Sequence, residues 1–182
     1  MKLSSQEDGV WVAHSHPATF KTEVTRGGGA RLVAGVPAGD ASTFRRLAQS
    51  LEAPCMLLYV LHTPRGEGDP GRYQGPPLSM GELESFLDQH AAFLAGDARF
   101  DLWVHSPSEN ATLVWDRHNL IYAYGPTGRF VSTLEALGFH EGSAGVSFEH
   151  LHHYRQEFDS EAAAVLAAFA WSYSPLKPED EQ

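Results

Sequence analysis

The sequence has 182 residues, of which 42% are hydrophobic and 20% are charged, and this length and composition are typical of one globular domain. Its 23 acidic and 13 basic side chains give a formal net charge of −10. A nucleic-acid-binding protein needs clustered Lys and Arg to neutralise phosphates, but the longest basic run here is Arg45-Arg46. The charge therefore argues against nucleic acid and against an anionic membrane surface as partners, and it is compatible with a basic protein partner.

Three features bear on the cellular compartment. The first eight residues contain no apolar segment of the kind that a secretory signal requires. The most apolar run, Cys55–Leu61, is too short to span a bilayer. The single cysteine cannot form an internal disulfide. Together these features predict a cytoplasmic protein that does not enter a membrane.

The first part of the chain shows strand patterns and one short helix. Three short strands are predicted there, at 10–14, 19–25 and 31–36. A helix capped by Asp40 or Ser42 follows, because its apolar residues recur at helical spacing. The run at 55–61 is apolar on both faces, which is typical of a central strand in a covered sheet. Residues 64–77, rich in Gly and Pro, are predicted to form a long loop.

The best-defined helix is predicted over 79–96. Ser79 and Glu82 have the spacing of a capping box. Apolar side chains recur on one face of this helix, at Met80, Leu83, Leu87 and Leu94. Gly96 is placed to end it.

The second half begins with three closely spaced strands, predicted at 100–105, 111–115 and 120–124. Turn residues separate them, so an antiparallel meander is the simplest arrangement. A short helix is predicted over 127–137, with Gly138 as its C-terminal signal. A last strand is predicted around 146–148, and an alanine-rich helix over 159–173.

Strands and helices do not alternate strictly, and this predicts an α+β fold. We expect a mainly antiparallel sheet, with the meander in its second half, and three to four helices packed on it. No linker divides the chain. Residues 1–174 are therefore predicted to form a single domain, and residues 175–182 a polar C-terminal tail.

Common catalytic motifs are missing from the sequence. It contains no P-loop, no dinucleotide-binding glycine pattern, no Gly-x-Ser-x-Gly elbow, no His-Glu-x-x-His and no Cys-x-x-Cys. Cys55 opens the most apolar run, where burial disfavours a thiolate, so it is interpreted as a small core residue and not as a nucleophile. The sequence therefore identifies no cofactor through a motif.

Histidine is the residue type that stands out, with ten copies. Neutral imidazole is the commonest metal ligand, and a His-x-His pair on a strand directs both rings to one face. A transition-metal site needs three or four such ligands that converge. The candidates for a divalent-metal or other polar site are grouped near the two ends of the chain, with one in the meander: His14, His16, His105, His150, His152 and His153.

The structure of residues 146–158 decides which of these histidines can act together. A strand would align His150 with His152, whereas a helix would group His150 with His153. Without metal, a histidine paired with a carboxylate could serve as an acid–base catalyst. Alternatively, the histidines simply form hydrogen bonds with backbone carbonyls or carboxylates.

Aromatic residues supply a second set of candidates. Trp103, Trp115, Tyr122 and Tyr124 fall in consecutive strands of the meander, where they can form one aromatic face. Such a face is core if helices cover it, and a binding surface if it is open. Tyr73, predicted in the long loop, is a candidate contact residue.

The sequence is compatible with two functions. The first is a non-enzymatic protein-binding or regulatory module, since the chain is small, acidic and poor in motifs, as inhibitor and immunity proteins are. The alternative is a small metal-dependent or histidine-based hydrolytic enzyme that uses the segment His150–His153.

Overall fold

The structure is a computed structural model that describes residues 1–25 and 27–180. Within these residues the chain forms five α-helices and twelve strands in a single compact domain of the α+β class. The predicted fold class is therefore confirmed. None of the helices in the described part of the chain is both long enough and apolar enough to cross a membrane. Glu181 and Gln182, the end of the predicted tail, lie outside the described residues.

The helices are α1 Ala41–Ala48, α2 Met80–Gln89, α3 Ala91–Gly96, α4 Thr127–Ala136 and α5 Asp159–Ala167. The count exceeds the predicted three to four because the helix expected over 79–96 breaks at His90. His90 has φ −101° and ψ 10°, and its side chain pairs with Glu161 of α5 at 2.7 Å. The predicted capping box of Ser79 and Glu82 is present at the start of α2.

The strands are β1 Leu3–Glu7, β2 Val10–Ala13, β3 Thr19–Val24, β4 Ala30–Gly35, β5 Cys55–Leu61, β6 Gly71–Leu78, β7 Phe100–Ser106, β8 Ala111–Trp115, β9 Leu120–Tyr124, β10 His140–Glu141, β11 His150–His152 and β12 Ser172–Ser174. Nine of them form a large sheet in the order β10-β3-β4-β9-β8-β7-β5-β6-β12, and three form a small sheet in the order β11-β1-β2. All pairs are antiparallel except β10 with β3. The predicted meander is confirmed as β7, β8 and β9.

The large sheet has two different faces in its middle. Leu102, Trp115 and Ile121 lie opposite one another on β7, β8 and β9, and they belong to the main hydrophobic core together with the helices. Side chains alternate along a strand, so the neighbouring row points the other way. This second face carries Tyr122 and is only partly covered, by residues 144–146 and by the small sheet. The cavity described below lies on it.

Two predicted elements are wrong. Residues 71–78 form β6, so the predicted loop is shorter, and Tyr73 lies in a strand opposite Tyr59. The prolines at 76 and 77 disfavour a strand in the sequence pattern, but they lie near the end of the β5–β6 ladder, where the register shifts between Met56 and Leu58. The strand expected at 146–148 forms instead at 150–152, where it pairs with β1.

The C-terminal part of the chain also differs from its prediction. Helix α5 ends at Ala167 and not at Tyr173, because residues 172–174 form β12 at the edge of the large sheet. The chain then continues to Asp180, whose buried carboxylate pairs with Arg72 of β6 at 2.5 Å. Residues 175–180 are thus tied to the sheet at their far end.

Candidate functional site

A cavity of about 650 Å³ lies between the partly covered face of the large sheet and the small sheet. Its floor is a row of four side chains on adjacent strands, Trp103, Val114, Tyr122 and Val33, which the strand register places directly opposite one another. This volume lies within the range of small-molecule sites. The alternation of aromatic and aliphatic groups gives the cavity an apolar base.

Three histidines form one wall of this cavity. His150 and His152 belong to β11 of the small sheet, and His118 lies in the turn between β8 and β9 of the large sheet. One ring nitrogen from each lies within 4.8 Å of the others. Nitrogens bound to a tetrahedral zinc ion stand about 3.3 Å apart, so nitrogens separated by 4.8 Å would have to approach by about 1.5 Å to hold one.

The strand structure of β11 explains why two of these histidines act together. His152 lies opposite Leu3 and His150 lies opposite Ser5, so both rings point to the same face of the small sheet. Leu151, between them, points outward and is 47% exposed. The strand alternative is therefore correct for these residues, and the helical grouping of His150 with His153 is wrong.

The ring orientations of His118 and His150 are fixed by hydrogen bonds from their Nδ1 atoms. His118 Nδ1 donates to Asp116 Oδ2 at 3.0 Å, and His150 Nδ1 donates to the Phe148 carbonyl at 3.1 Å. With the proton on Nδ1, the Nε2 atom keeps its lone pair for another partner. Metal-ligating histidines are held in this way by carboxylates and backbone carbonyls.

His152 differs because its Nε2 atom is buried and has no hydrogen-bond partner among the described residues. Burial, followed by the proximity of His118 and His150, lowers the pKa of His152 to about 3. The ring is therefore neutral at pH 7. A buried polar atom without a partner is uncommon in proteins and calls for a reason, such as a ligand that satisfies it.

His14 and His16 lie beside this group but use their own nitrogens elsewhere. His16 Nε2 donates to the His118 carbonyl at 2.8 Å, and His14 Nε2 lies 3.4 Å from His16 Nδ1. His14 Nδ1 is 3.3 Å from the Ser5 hydroxyl. Burial is the main cause that lowers the pKa of both rings. These two histidines therefore support the His118 turn and are not free to bind a metal as they stand.

The other two candidate histidines lie outside the cavity. His105 lies on β7 but does not line the cavity, and its Nδ1 is 2.9 Å from the Thr112 hydroxyl. His153 follows β11 and pairs with the Ser4 hydroxyl at 2.8 Å. Because Ser4 and Ser5 point to opposite faces of β1, His153 lies on the side away from His150.

The aromatic candidates divide between the two faces of the large sheet. Trp103, Tyr122 and Tyr124 line the cavity, and burial raises the pKa of Tyr122. Trp115 points to the opposite face, where it is fully buried in the core. Tyr73 packs against that same core and donates to the Asp69 carbonyl at 2.7 Å. Neither Trp115 nor Tyr73 therefore belongs to an aromatic surface with the other three.

Charged side chains occupy both ends of the cavity. Near the histidines, Asp101 accepts from His62 Nε2 at 3.0 Å and from the Arg117 backbone N–H at 2.8 Å. Burial is the largest single influence on the pKa of Asp101 and acts to raise it. The hydrogen bond and charge of His62, the Arg117 backbone N–H and the charge of Lys2 together outweigh burial and hold the pKa below its ordinary value. At the other end Lys21 and Arg31 both pair with Glu23, at 2.7 and 2.9 Å.

Two residues of this site carry no functional signal in the sequence. His118 falls between the strands predicted at 111–115 and 120–124, but 32 residues separate it from His150 and no local pattern links the two. Arg31 is predicted only as part of the strand at 31–36. Its position opposite Tyr124 and Glu23 in the register is what brings it to the cavity.

No family model, curated protein or solved structure matches this chain.

Proposed function

We propose that His118, His150 and His152 bind a divalent transition metal, and that the protein is a metal-dependent hydrolase for a small molecule held in the cavity. The observation that carries this proposal is the convergence of three histidine nitrogens, within 4.8 Å, on the wall of a cavity. Three imidazoles suit zinc, which takes nitrogen ligands in a tetrahedral arrangement.

The position of the histidines favours a catalytic over a purely structural metal site. Structural zinc sites are closed by four protein ligands, whereas catalytic sites have three and leave one position open. Here the three rings face the cavity. An ion in this position would lower the pKa of a water molecule toward neutrality and polarise a carbonyl or phosphoryl oxygen of the bound molecule.

The neighbouring residues have roles that fit this chemistry. Asp116 holds the His118 ring and also accepts the backbone N–H groups of His118 and Leu120, each at 2.9 Å. The Phe148 carbonyl holds the His150 ring by accepting a hydrogen bond from its Nδ1. These partners raise the basicity of the ligand nitrogens and fix their direction. The apolar floor holds the substrate beside them and limits access of water.

Metal titration tests this proposal. We expect Zn²⁺ and Co²⁺ to bind with one ion per protein, and the Co²⁺ form to show the intense visible absorption of tetrahedral coordination. His118→Ala, His150→Ala and His152→Ala should each remove most of this binding. The matched control is His153→Ala, because that residue is next to His152 but on the other side of the small sheet. Equal binding by the His152→Ala and His153→Ala variants would contradict the proposal.

Protein binding remains a second candidate function, favoured by the outer face of the small sheet. Trp11 and Leu151 lie on this face by register, opposite Gln6 and Ser4, and they are 38% and 47% exposed. Exposed aromatic and aliphatic groups on one face are a feature of protein interfaces. We expect a partner captured by the unaltered protein to be lost with Trp11→Ser/Leu151→Ser. Retention of the same partner by this variant would exclude the surface.

A further inference from the structure

The floor of the cavity has the shape and chemistry of a platform for a planar group. Trp103 and Tyr122 lie on it with Val114 between them, on three adjacent strands. Strands are about 4.8 Å apart, so the two aromatic side chains stand roughly 10 Å from each other. The Trp103 Nε1–H is buried and has no acceptor among the described residues. A planar ligand with a hydrogen-bond acceptor would satisfy it.

The end of the cavity away from the histidines carries a positive charge. Lys21 and Arg31 share the single carboxylate of Glu23, so this group has a net charge of +1. Arg31 also lies over the Tyr122 ring, with its guanidinium carbon 4.8 Å from the ring centroid, and donates to the Tyr124 hydroxyl at 3.2 Å. The guanidinium is thereby held at the edge of the aromatic platform.

The two ends are separated by a defined length of strand. Leu120 lies near the histidine turn and Tyr124 lies beside Arg31, four residues apart on β9. Four residues of an antiparallel strand span about 13 Å. A ligand that reaches both ends is therefore longer than a single ring.

We infer that the cavity takes an elongated small molecule with a planar aromatic centre and an anionic end, a carboxylate, sulfonate or phosphate, held by Arg31 and Lys21. The opposite end of such a molecule lies at the histidines. Hydrolysis of this molecule at the histidines rests on the proposed function. Binding of the molecule uses the face of the large sheet alone and does not need a metal.

Two fluorescent probes of similar shape test this inference on protein freed of metal with a chelator. The anionic probe is 8-anilinonaphthalene-1-sulfonate, and the neutral probe is N-phenyl-1-naphthylamine. We expect saturable binding of the anionic probe with one molecule per protein, weakened by added salt. Arg31→Gln should weaken that binding about tenfold, because a charge-assisted hydrogen bond is lost, and should change binding of the neutral probe by less than about twofold.

Three further variants make the result decisive. Arg31→Lys should restore most of the affinity for the anionic probe, which shows that charge and not folding is at issue. Trp103→Leu should weaken both probes. Arg46→Gln, a change in a guanidinium of α1 that does not line the cavity, should leave both unchanged.

The inference is overturned if the anionic probe does not bind saturably. It is also overturned if Arg31→Gln weakens both probes equally, or if Trp103→Leu affects neither. Since the measurement uses metal-free protein, these outcomes are separate from a failure to bind metal. Loss of metal binding with retained probe discrimination would contradict the proposed hydrolase and leave the ligand class standing.

Discussion

His118 depends on Asp116 for a usable ligand nitrogen. The carboxylate accepts the Nδ1 proton at 3.0 Å, and this leaves Nε2 unprotonated for a metal. Asp116→Asn keeps the shape of the side chain, and the Asn oxygen can still accept from the backbone N–H groups of His118 and Leu120. Its NH₂ group cannot accept from Nδ1–H, so the other tautomer is favoured. We expect metal affinity to fall by about 10- to 100-fold, as measured by competition with a chelator.

The same Asp→Asn substitution at Asp40, outside the cavity, provides the control for the Asp116→Asn experiment. Asp40 caps α1 by accepting the Ser42 backbone N–H at 2.9 Å and does not line the cavity. Asp40→Asn should leave metal affinity unaltered. If Asp116→Asn also changes affinity by less than about twofold, the carboxylate does not set the tautomer of His118, and that part of the site is misassigned.

Lys2 is a fully buried cation on the core side of the turn that carries Asp116 and His118. Its Nζ donates to the Asp116 carbonyl at 2.9 Å and lies over the rings of Phe100 and Trp115, at 4.8 and 4.5 Å. Burial lowers the pKa of Lys2 to about 8, although the charges of Asp116, Asp101 and Asp97 act to raise it. This ammonium group therefore loses its proton more readily in the folded protein than in the unfolded chain.

The lowered pKa of Lys2 predicts how stability changes with pH. Between about pH 8 and 10.5 the unfolded chain binds more protons at Lys2 than the folded protein does, so its contribution to the free energy of unfolding rises with pH. Relative to Lys2→Met, the unaltered protein should gain about 3 kcal/mol across this window. Urea unfolding at several pH values measures the difference.

The comparison with Lys2→Met concerns the slope and not the absolute stability, since the substitution also changes packing. The exposed Lys177→Met should follow the pH dependence of the unaltered protein. A Lys2→Met variant whose stability tracks the unaltered protein at constant difference from pH 7 to 10.5 would show that Lys2 keeps its proton in the fold, against the lowered pKa.

Among the elements, those with local chemical signals were predicted well from the sequence. The capping box that begins α2 is present, and α4 ends with Gly138 at φ 85° while the Phe139 N–H donates to the Leu134 carbonyl at 3.0 Å. The strands of the meander were predicted because short turn segments bound each of them. In all these cases the residues that fix the structure are neighbours in sequence.

Elements that depend on distant partners were predicted poorly. Strand β6 has two prolines and two glycines, yet it is ordered between β5 and β12. The helical pattern after Asp159 continues past Ala167 in the sequence, but residues 172–174 pair with β6 instead. In both places the tertiary pairing outweighs the local preference, and no nearby residue signals it.

A buried ion-pair group joins the ends of several elements. Arg99, fully buried just before β7, donates to Asp97 Oδ1 at 2.8 Å, to Glu67 at 3.1 Å and to Asp159 at 3.1 Å. Asp97 follows α3, Glu67 lies before β6, and Asp159 begins α5. The side chains of Asp97 and Arg99 are 0% exposed, so neither can turn to water if its partner is removed.

Arg99→Met is expected to destabilise the fold by about 3–5 kcal/mol, because it leaves the buried Asp97 carboxylate without its cation. The added change Asp97→Leu should recover part of this loss, since it removes the unpaired charge. Urea unfolding of the single and double variants measures both effects. Arg46→Met, on the surface of α1, is the control.

Two outcomes of these unfolding measurements would contradict the expected cost of leaving a buried charge unpaired. If Arg99→Met costs less than about 1 kcal/mol, the ion pair behaves as an exposed one. If the double variant is less stable than Arg99→Met alone, the backbone contacts of Asp97 matter more than its charge. Asp97 also accepts from the Arg155 backbone N–H at 2.8 Å, which is the contact that would then dominate.

On the scale of the whole molecule, the site exists because the two sheets face each other. Leu3 and Ser5 of β1 pair with β11 on one side, and the same strand pairs with β2 on the other. This arrangement carries His150 and His152 over the turn that holds His118. The sequence pointed to the first two, whose spacing on a strand is a local property. It could not supply the third, since the approach of one sheet to the other has no signature in neighbouring residues.

A metal held by histidines of both sheets would link them and stabilise the folded protein as a whole. For an ion that binds only the folded protein, a free concentration 100 times Kd adds about 2.7 kcal/mol to the free energy of unfolding. For a chain of this size we therefore expect Tm to rise by roughly 5–10 °C with Zn²⁺. His118→Ala and His152→Ala, one in each sheet, should each abolish the rise, while His153→Ala should retain it. A shift that survives His118→Ala but not His152→Ala would place the metal within the small sheet alone and contradict the link between the sheets.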